Sequence, residues 1–232
     1  FRVYLKNRKH IKIHAEIMKN FNTYQSKSNA RSNFSRSITV FFLTLVIFFN
    51  SVSFSLANRS ETNSWMRHAA HLSQTGNNEE ALKIFLKITH KEPNNYYAYN
   101  NLGMVYSQIK ENEKALNAYE KSLSINPSFP MTLNNIGALH MTMGNYNKAE
   151  IFLKKALSLF GSFHLVSTNL GELYLKQKRY SEAMTYLKKS LKDMPVFPPT
   201  HKLLGELHLA EGRKDEAENE YSIYKELKLK SK

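Results

Sequence analysis

The sequence predicts an all-α repeat fold, and three observations carry that prediction. An alanine recurs every 34 residues, at Ala81, Ala115, Ala149, Ala183 and Ala217. A small residue precedes each of them by a constant spacing, at Ala69, Gly103, Gly137, Gly171 and Gly205. Around both, large apolar residues fall at helical offsets, and Gly or Asn separates the two runs in most copies.

Composition narrows the rest. The 232 residues are 42% hydrophobic and 22% charged, an ordinary globular balance. There is no cysteine, which excludes disulfide frameworks, Cys-ligated zinc, iron–sulfur clusters and thiol nucleophiles. The net charge of +14 is unevenly spread: residues 1–37 carry nine bases against one acid, whereas residues 58–232 carry 24 against 18. The long C-terminal part alternates in sign as a solvated helix surface does, so no nucleic-acid face is expected.

Taken in order, residues 1–37 read as a basic, disordered arm. The chain opens on Phe1, and Met18 is a candidate start that would leave residues 1–17 outside the protein. No charge stands between Arg36 and Arg59, and Ile38 to Phe49 holds ten apolar residues in twelve. That suits the apolar core of a signal peptide, with Ser55 and Ala57 in small-x-small spacing before a cut after Ala57. The alternative is an uncut anchor over 38–57, extended by Val52, Phe54 and Leu56. Either way positive charge stays in the cytoplasm and everything after residue 58 is exported, to the periplasm or another extracytoplasmic space. Residues 58–61 are expected as a short linker.

The repeats then run without a gap as 62–95, 96–129, 130–163, 164–197 and 198–231. Positions 4, 7, 8 and 11 of each unit form an apolar stripe on a first helix; positions 20, 24 and 27–28 form one on a second. The small residues at positions 8 and 20 mark the crossing of the two helices. Pro93, Pro127 and Pro195 close three units, and Gly76, Gly144 and Gly212 mark the turns between paired helices.

These features resemble the tetratricopeptide repeat family over Thr62 to Ser231, down to Trp65 at position 4 of the first unit. Departures are His68-Ala69 for Leu-Gly in unit one, Gly161 for the closing proline in unit three, and Ser167 at position 4 of unit four. The resemblance implies about ten antiparallel helices in a right-handed superhelix, with a concave groove lined mainly by first helices. It also implies that positions 2, 5, 6, 9, 12 and 13 face the groove.

Nothing in the sequence resembles a catalytic motif: no phosphate-cradling loop, nucleophile elbow or metalloprotease helix is present. No cofactor or metal is expected. His68 and His71 lack an acidic neighbour, and His140 and His208 stand where the family places Tyr, as packing residues with satisfied ring nitrogens. Glu79-Glu80 and Glu111/Glu113 fall where they favour a helix dipole.

The expected partner-binding groove comprises Asn101, Asn135, Asn169, Tyr97, Asn100, Met104, Met131, Asn134, Met141, Leu165 and Leu175. Asn101, Asn135 and Asn169 all occupy position 6, so they would form a ladder. An amide both donates and accepts, as reading an extended peptide requires. The ladder resembles that of O-linked N-acetylglucosamine transferase repeats, although Arg67 and Leu203 interrupt it in units one and five. The competing reading is that these asparagines tie neighbouring helices together. Methionines around them suit a groove that adapts to its partner. A non-enzymatic, exported scaffold for a protein or peptide partner in envelope complex assembly is therefore expected. The alternative is the substrate-recognition part of a larger glycosyltransferase, against which the Lys-rich C-terminal helix speaks.

Overall fold

A computed structural model describes residues 32–161 and 163–230, together with Glu16 and Lys19. The expected basic arm lies mostly outside the described residues. The chain divides into two units, residues 1–61 and Thr62–Lys232.

Ten helices are described: α1 Ser32–Gln74, α2 Asn78–Lys91, α3 Tyr96–Gln108, α4 Asn112–Ile125, α5 Pro130–Thr142, α6 Tyr146–Phe160, α7 His164–Lys176, α8 Tyr180–Asp193, α9 Pro198–Ala210 and α10 Lys214–Lys230. α1 corrects the expected linker. Residues 58–61 lie inside it, because neither Gly nor Pro occurs between Ser32 and Gly76 to stop a helix. Its apolar portion exposes Phe41, Phe42, Ile47, Phe48 and Phe49. Among the described residues no helix is long and apolar enough to cross a membrane.

From Thr62 onward the helices pair: the end of α1 with α2, α3 with α4, α5 with α6, α7 with α8, and α9 with α10. Each pair is one 34-residue unit. Ala81, Ala115, Ala149, Ala183 and Ala217 are fully buried. The close approach comes from position 8, where a Cβ on Gly103 would stand 2.5 Å from the Tyr119 ring and one on Gly171 2.5 Å from Leu187. The position 8 glycines therefore meet the large side chain at position 24 first; the backbone at position 20 is next, with Ala149 O 3.3 Å from a Cβ on Gly137.

Every pair turns in one way. The backbone N–H at position 16 donates to the carbonyl at position 11, as Asn145 does to His140 at 2.8 Å, which closes the first helix in a left-handed cap. Position 15 consequently has positive φ in all five units: Gly76, Lys110, Gly144, Lys178 and Gly212. Two lysines thus hold a conformation that glycine adopts without cost. The missing proline of unit three is replaced by another left-handed cap, Gly161 at φ 66°.

Position 7 is buried as Leu102, Ile136, Leu170 and Leu204. His68 departs from this and is exposed. His140 and His208 are buried at position 11 as expected, yet Nδ1 of each lacks a hydrogen-bond partner among the described residues. The expectation of satisfied rings fails there; His140 instead stacks on Phe152 with centroids 5.7 Å apart.

The joints between units alternate in chemistry. Between units two and three, Thr132 Oγ1 donates to Asn100 Oδ1 at 2.9 Å and sits 2.9 Å from Ser122 Oγ, which donates to Tyr96 O. Between units four and five, the buried hydroxyls of Thr168, Ser190 and Thr200 form a triangle with sides of 2.7, 2.8 and 2.9 Å. The corresponding residues at the other two joints are Met66, Ile88 and Ala98, and Asn134, Ala156 and Val166. Only the asparagine among those six is polar.

The third joint holds itself differently. On its outer side, Glu150 of α6 accepts from Tyr174 at 2.9 Å, Arg179 at 3.0 Å and Lys154 at 2.6 Å. Burial works against the Glu150 carboxylate, but these three donors hold its pKa below the usual carboxylate range. Burial, then the bond to Glu150, pushes the Tyr174 hydroxyl up to about 12.

Candidate functional site: the groove face of the first helices

The first helices α3, α5, α7 and α9 present positions 2, 6, 9 and 13 on one face, and two hollows open there. One of about 410 Å³ lies between α7 and α9, lined by Leu165, Asn169, Lys176, Phe197, Lys202 and Glu206 among others. A second of about 210 Å³ lies between α3 and α5, with Met104, Gln108, Asn135 and Thr142 in its lining. Both are open grooves and not enclosed cavities.

The structure separates the predicted groove residues into two sets. Tyr97 and Met104 are exposed, and Asn101, Met131, Asn135, Leu165, Asn169 and Leu175 are half-buried and reachable. Asn100, Asn134 and Met141 are buried, and this corrects their expected place in the lining. In units two and three position 5 points down into the joint, where the two asparagine oxygens serve as acceptors, and Met141 packs in the core shared by units three to five.

The ladder is likewise divided. Asn135 Nδ2 donates to Asn100 Oδ1 at 3.0 Å, and Asn169 Nδ2 donates to Asn134 Oδ1 at 2.8 Å. These are ties from position 6 of one unit to position 5 of the unit before. Asn101 makes no such tie, because position 5 of unit one is Met66, which offers no amide oxygen. No hydrogen bond joins the Asn101 side chain to the described residues. A further tie on this face runs from Ser73 Oγ to Gln108 Oε1 at 2.8 Å.

Charge on this face is confined to units one, four and five. Glu172 pairs with Lys176 at 3.4 Å on α7, and Glu206 with Lys202 at 3.0 Å on α9. Units two and three carry no charge at positions 2, 5, 6, 9, 12 or 13. Among the described residues no group of three or more His, Asp or Glu is placed to hold a metal ion.

Sequence reasoning missed one recurring feature of this face. Phe129, Phe163 and Phe197 all occupy position 34, just before a first helix, and each is half-buried. Phe129 meets the Tyr97 ring edge-on at 5.0 Å. The 34-residue spacing of the three phenylalanines was available in the sequence.

Stacked helix pairs with an open face of this kind define an α-solenoid. Profiles of the tetratricopeptide repeat match residues 96–129, 129–194 and 174–226, and the chain belongs to that family. Among solved structures, PilF of Pseudomonas aeruginosa is 24% identical with a TM-score of 0.63, over 71% of this chain and 75% of its own. PilW, described as a widely conserved type IV pilus biogenesis factor, is 24% identical with a TM-score of 0.64, over 72% and 77%. A thermophilic repeat protein of Thermus thermophilus is 20% identical with a TM-score of 0.67, over 72% and 91%. At such identities the likeness is one of fold. No curated protein sequence matches the chain. The tetratricopeptide fold is in general a protein–protein interaction module.

Proposed function

We propose that the protein is an exported scaffold that holds a protein partner along the groove face of its first helices, in the assembly of an envelope-associated complex. The observation that carries this reading is the run of reachable side chains Tyr97, Asn101, Met104, Met131, Asn135, Leu165 and Asn169 beside two open hollows. Each hollow adjoins an amide whose donors and acceptor suit a peptide main chain. The pilus role printed for PilW supports the envelope part of the reading. The uncharged stretch at 38–57 supports export, as a cleaved signal or a retained anchor.

Photo-crosslinking residues placed in the full chain at Tyr97 or Met104 should capture one protein. The same probe at Ile151, exposed on a second helix, should not. Equal capture from all three positions would count against the groove. A reporter fused after Lys232 should be active only outside the cytoplasm, and cytoplasmic activity would refute export.

A further inference from the structure

We propose that the groove of units two to five takes a polyproline-II segment that has a proline or large apolar residue at every third position and no net charge. The inference rests on the groove being a protein-binding face, and three observations carry it.

The first is spacing. Apolar side chains recur once per unit along one edge of the groove: Tyr97, Met131, Leu165 and Pro199 at position 2, with Phe129, Phe163 and Phe197 beside them at position 34. Neighbouring packed helices sit about 8–10 Å apart, so the edge offers an apolar contact at that interval. A polyproline-II helix has three residues per turn at about 3.1 Å each, and so returns the same face every ~9 Å. An extended strand returns its face about every 7 Å, and an α-helix repeats its turn every 5.4 Å or so. Two helical turns span about 10.8 Å and overshoot the interval cumulatively, so the three-residue period keeps step with the edge most closely over four units.

The second is hydrogen bonding. Asn135 and Asn169 each commit one amide hydrogen to the preceding unit, and each amide has a second hydrogen besides, although the Asn135 oxygen already accepts from Asn134 Nδ2 at 3.5 Å. Polyproline II has no internal hydrogen bonds, so its main-chain carbonyls can accept from such amides without giving up other bonds. The third is charge. The four charges of this stretch, Glu172, Lys176, Lys202 and Glu206, are paired with each other and sum to zero. A strongly charged peptide would gain nothing from them, whereas an uncharged one leaves both pairs intact. In the hollow of about 410 Å³, Leu165, Phe197, Pro199 and Leu203 supply an apolar wall for one anchoring side chain. Flat aromatic faces next to such a wall are the usual seat of polyproline segments.

The test uses the full chain and three uncharged fluorescent peptides of about twelve residues, enough for four units at roughly 3.1 Å per residue. The first repeats Leu-Pro-Gln. The second alternates Leu and Gln. The third is Ala-rich and helical, with Leu at every third or fourth position. The first should bind at least about tenfold more tightly than either other. Phe197→Ala and Tyr97→Ser should each weaken it several-fold. Tyr97 is 51% exposed, so its replacement leaves the fold intact and keeps the test valid if Phe197→Ala does not fold. Equal or tighter binding of the second or third peptide, lost on Tyr97→Ser, would overturn the three-residue period and leave the groove reading standing. Binding of none of the three, or binding insensitive to Tyr97→Ser, would overturn both.

Discussion

The joint between units four and five and the joint between units three and four hold equivalent helices of the repeat together by different chemistry. The first buries three mutually bonded hydroxyls, Thr168, Ser190 and Thr200. The second puts Ala156 and Val166 in two of the three equivalent places, and adds the Glu150–Tyr174–Arg179 cluster on its outer side. The two remaining joints repeat the contrast. A 34-residue unit thus fixes the shape of the interface through its small and large positions, while the polar content of the seam varies freely. A buried hydroxyl is tolerated wherever a partner hydroxyl faces it, because the cost lies in leaving one unpaired.

That contrast can be strained at several points. The largest effect is expected inside unit three beside the apolar seam, where Leu153 of α6 is fully buried against Gly137 of α5. Leu153→Ala should cost about 2–5 kcal/mol, through lost transfer energy and a cavity. Thermal unfolding would show this as a fall of roughly 4 °C or more. At the polar seam the expected cost of Thr200→Val is about 1 kcal/mol. Combining it with Thr168→Val and Ser190→Ala should cost less than the three single changes added, since the triple variant leaves no member of the triangle behind. Strict additivity in denaturant titrations would mean that the hydroxyls do not act as one group.

Acidity probes His140. Burial and then Lys148 hold its pKa below the ordinary value of 6.5. The folded state therefore favours the neutral ring, and the unfolded chain binds the proton first as pH falls. Stability contributed by this group is full above about pH 6.5 and is lost on acidification through that range. His140→Phe should flatten the fall in melting temperature between pH 7 and pH 5. An unchanged slope would assign the acid sensitivity of that range to other groups; Glu150, whose pKa is lowered, works in the same direction only below the ordinary carboxylate range. The smallest effect is expected at the turns. Lys110→Gly and Lys178→Gly remove a left-handed side chain, at φ 63° and 59°, and should stabilise by at most about 1 kcal/mol each.

These turns show where the sequence was legible and where it was not. Gly76, Gly144 and Gly212 announce a left-handed residue; Lys110 and Lys178 occupy the same place and announce nothing, because only the register of the repeat imposes their conformation. The helix pairs themselves were readable from positions 7, 8, 20 and 24, since burial acts on residue size at a fixed period. The seams were not, because Thr132 with Asn100, or Thr200 with Thr168, meet across 32 residues and look like ordinary polar positions in isolation. For the same reason Asn100 and Asn134 looked like groove residues. They adjoin the half-buried groove asparagines Asn101 and Asn135 in sequence, and only the packed joint shows their oxygens facing inward.

One asparagine position does two jobs: Asn135 and Asn169 tie units together with one amide hydrogen and keep the other for a ligand, whereas Asn101 makes no tie and keeps both. Melting temperature and affinity for the Leu-Pro-Gln peptide, both measured on Asn101→Ala and on Asn169→Ala, test it directly. The account predicts that Asn169→Ala melts a few degrees lower, in keeping with a hydrogen bond worth about 0.5–1.5 kcal/mol. Asn101→Ala should melt with the parent protein and bind roughly two- to tenfold more weakly, the same energy read as affinity. A destabilised Asn101→Ala that binds normally would contradict the account.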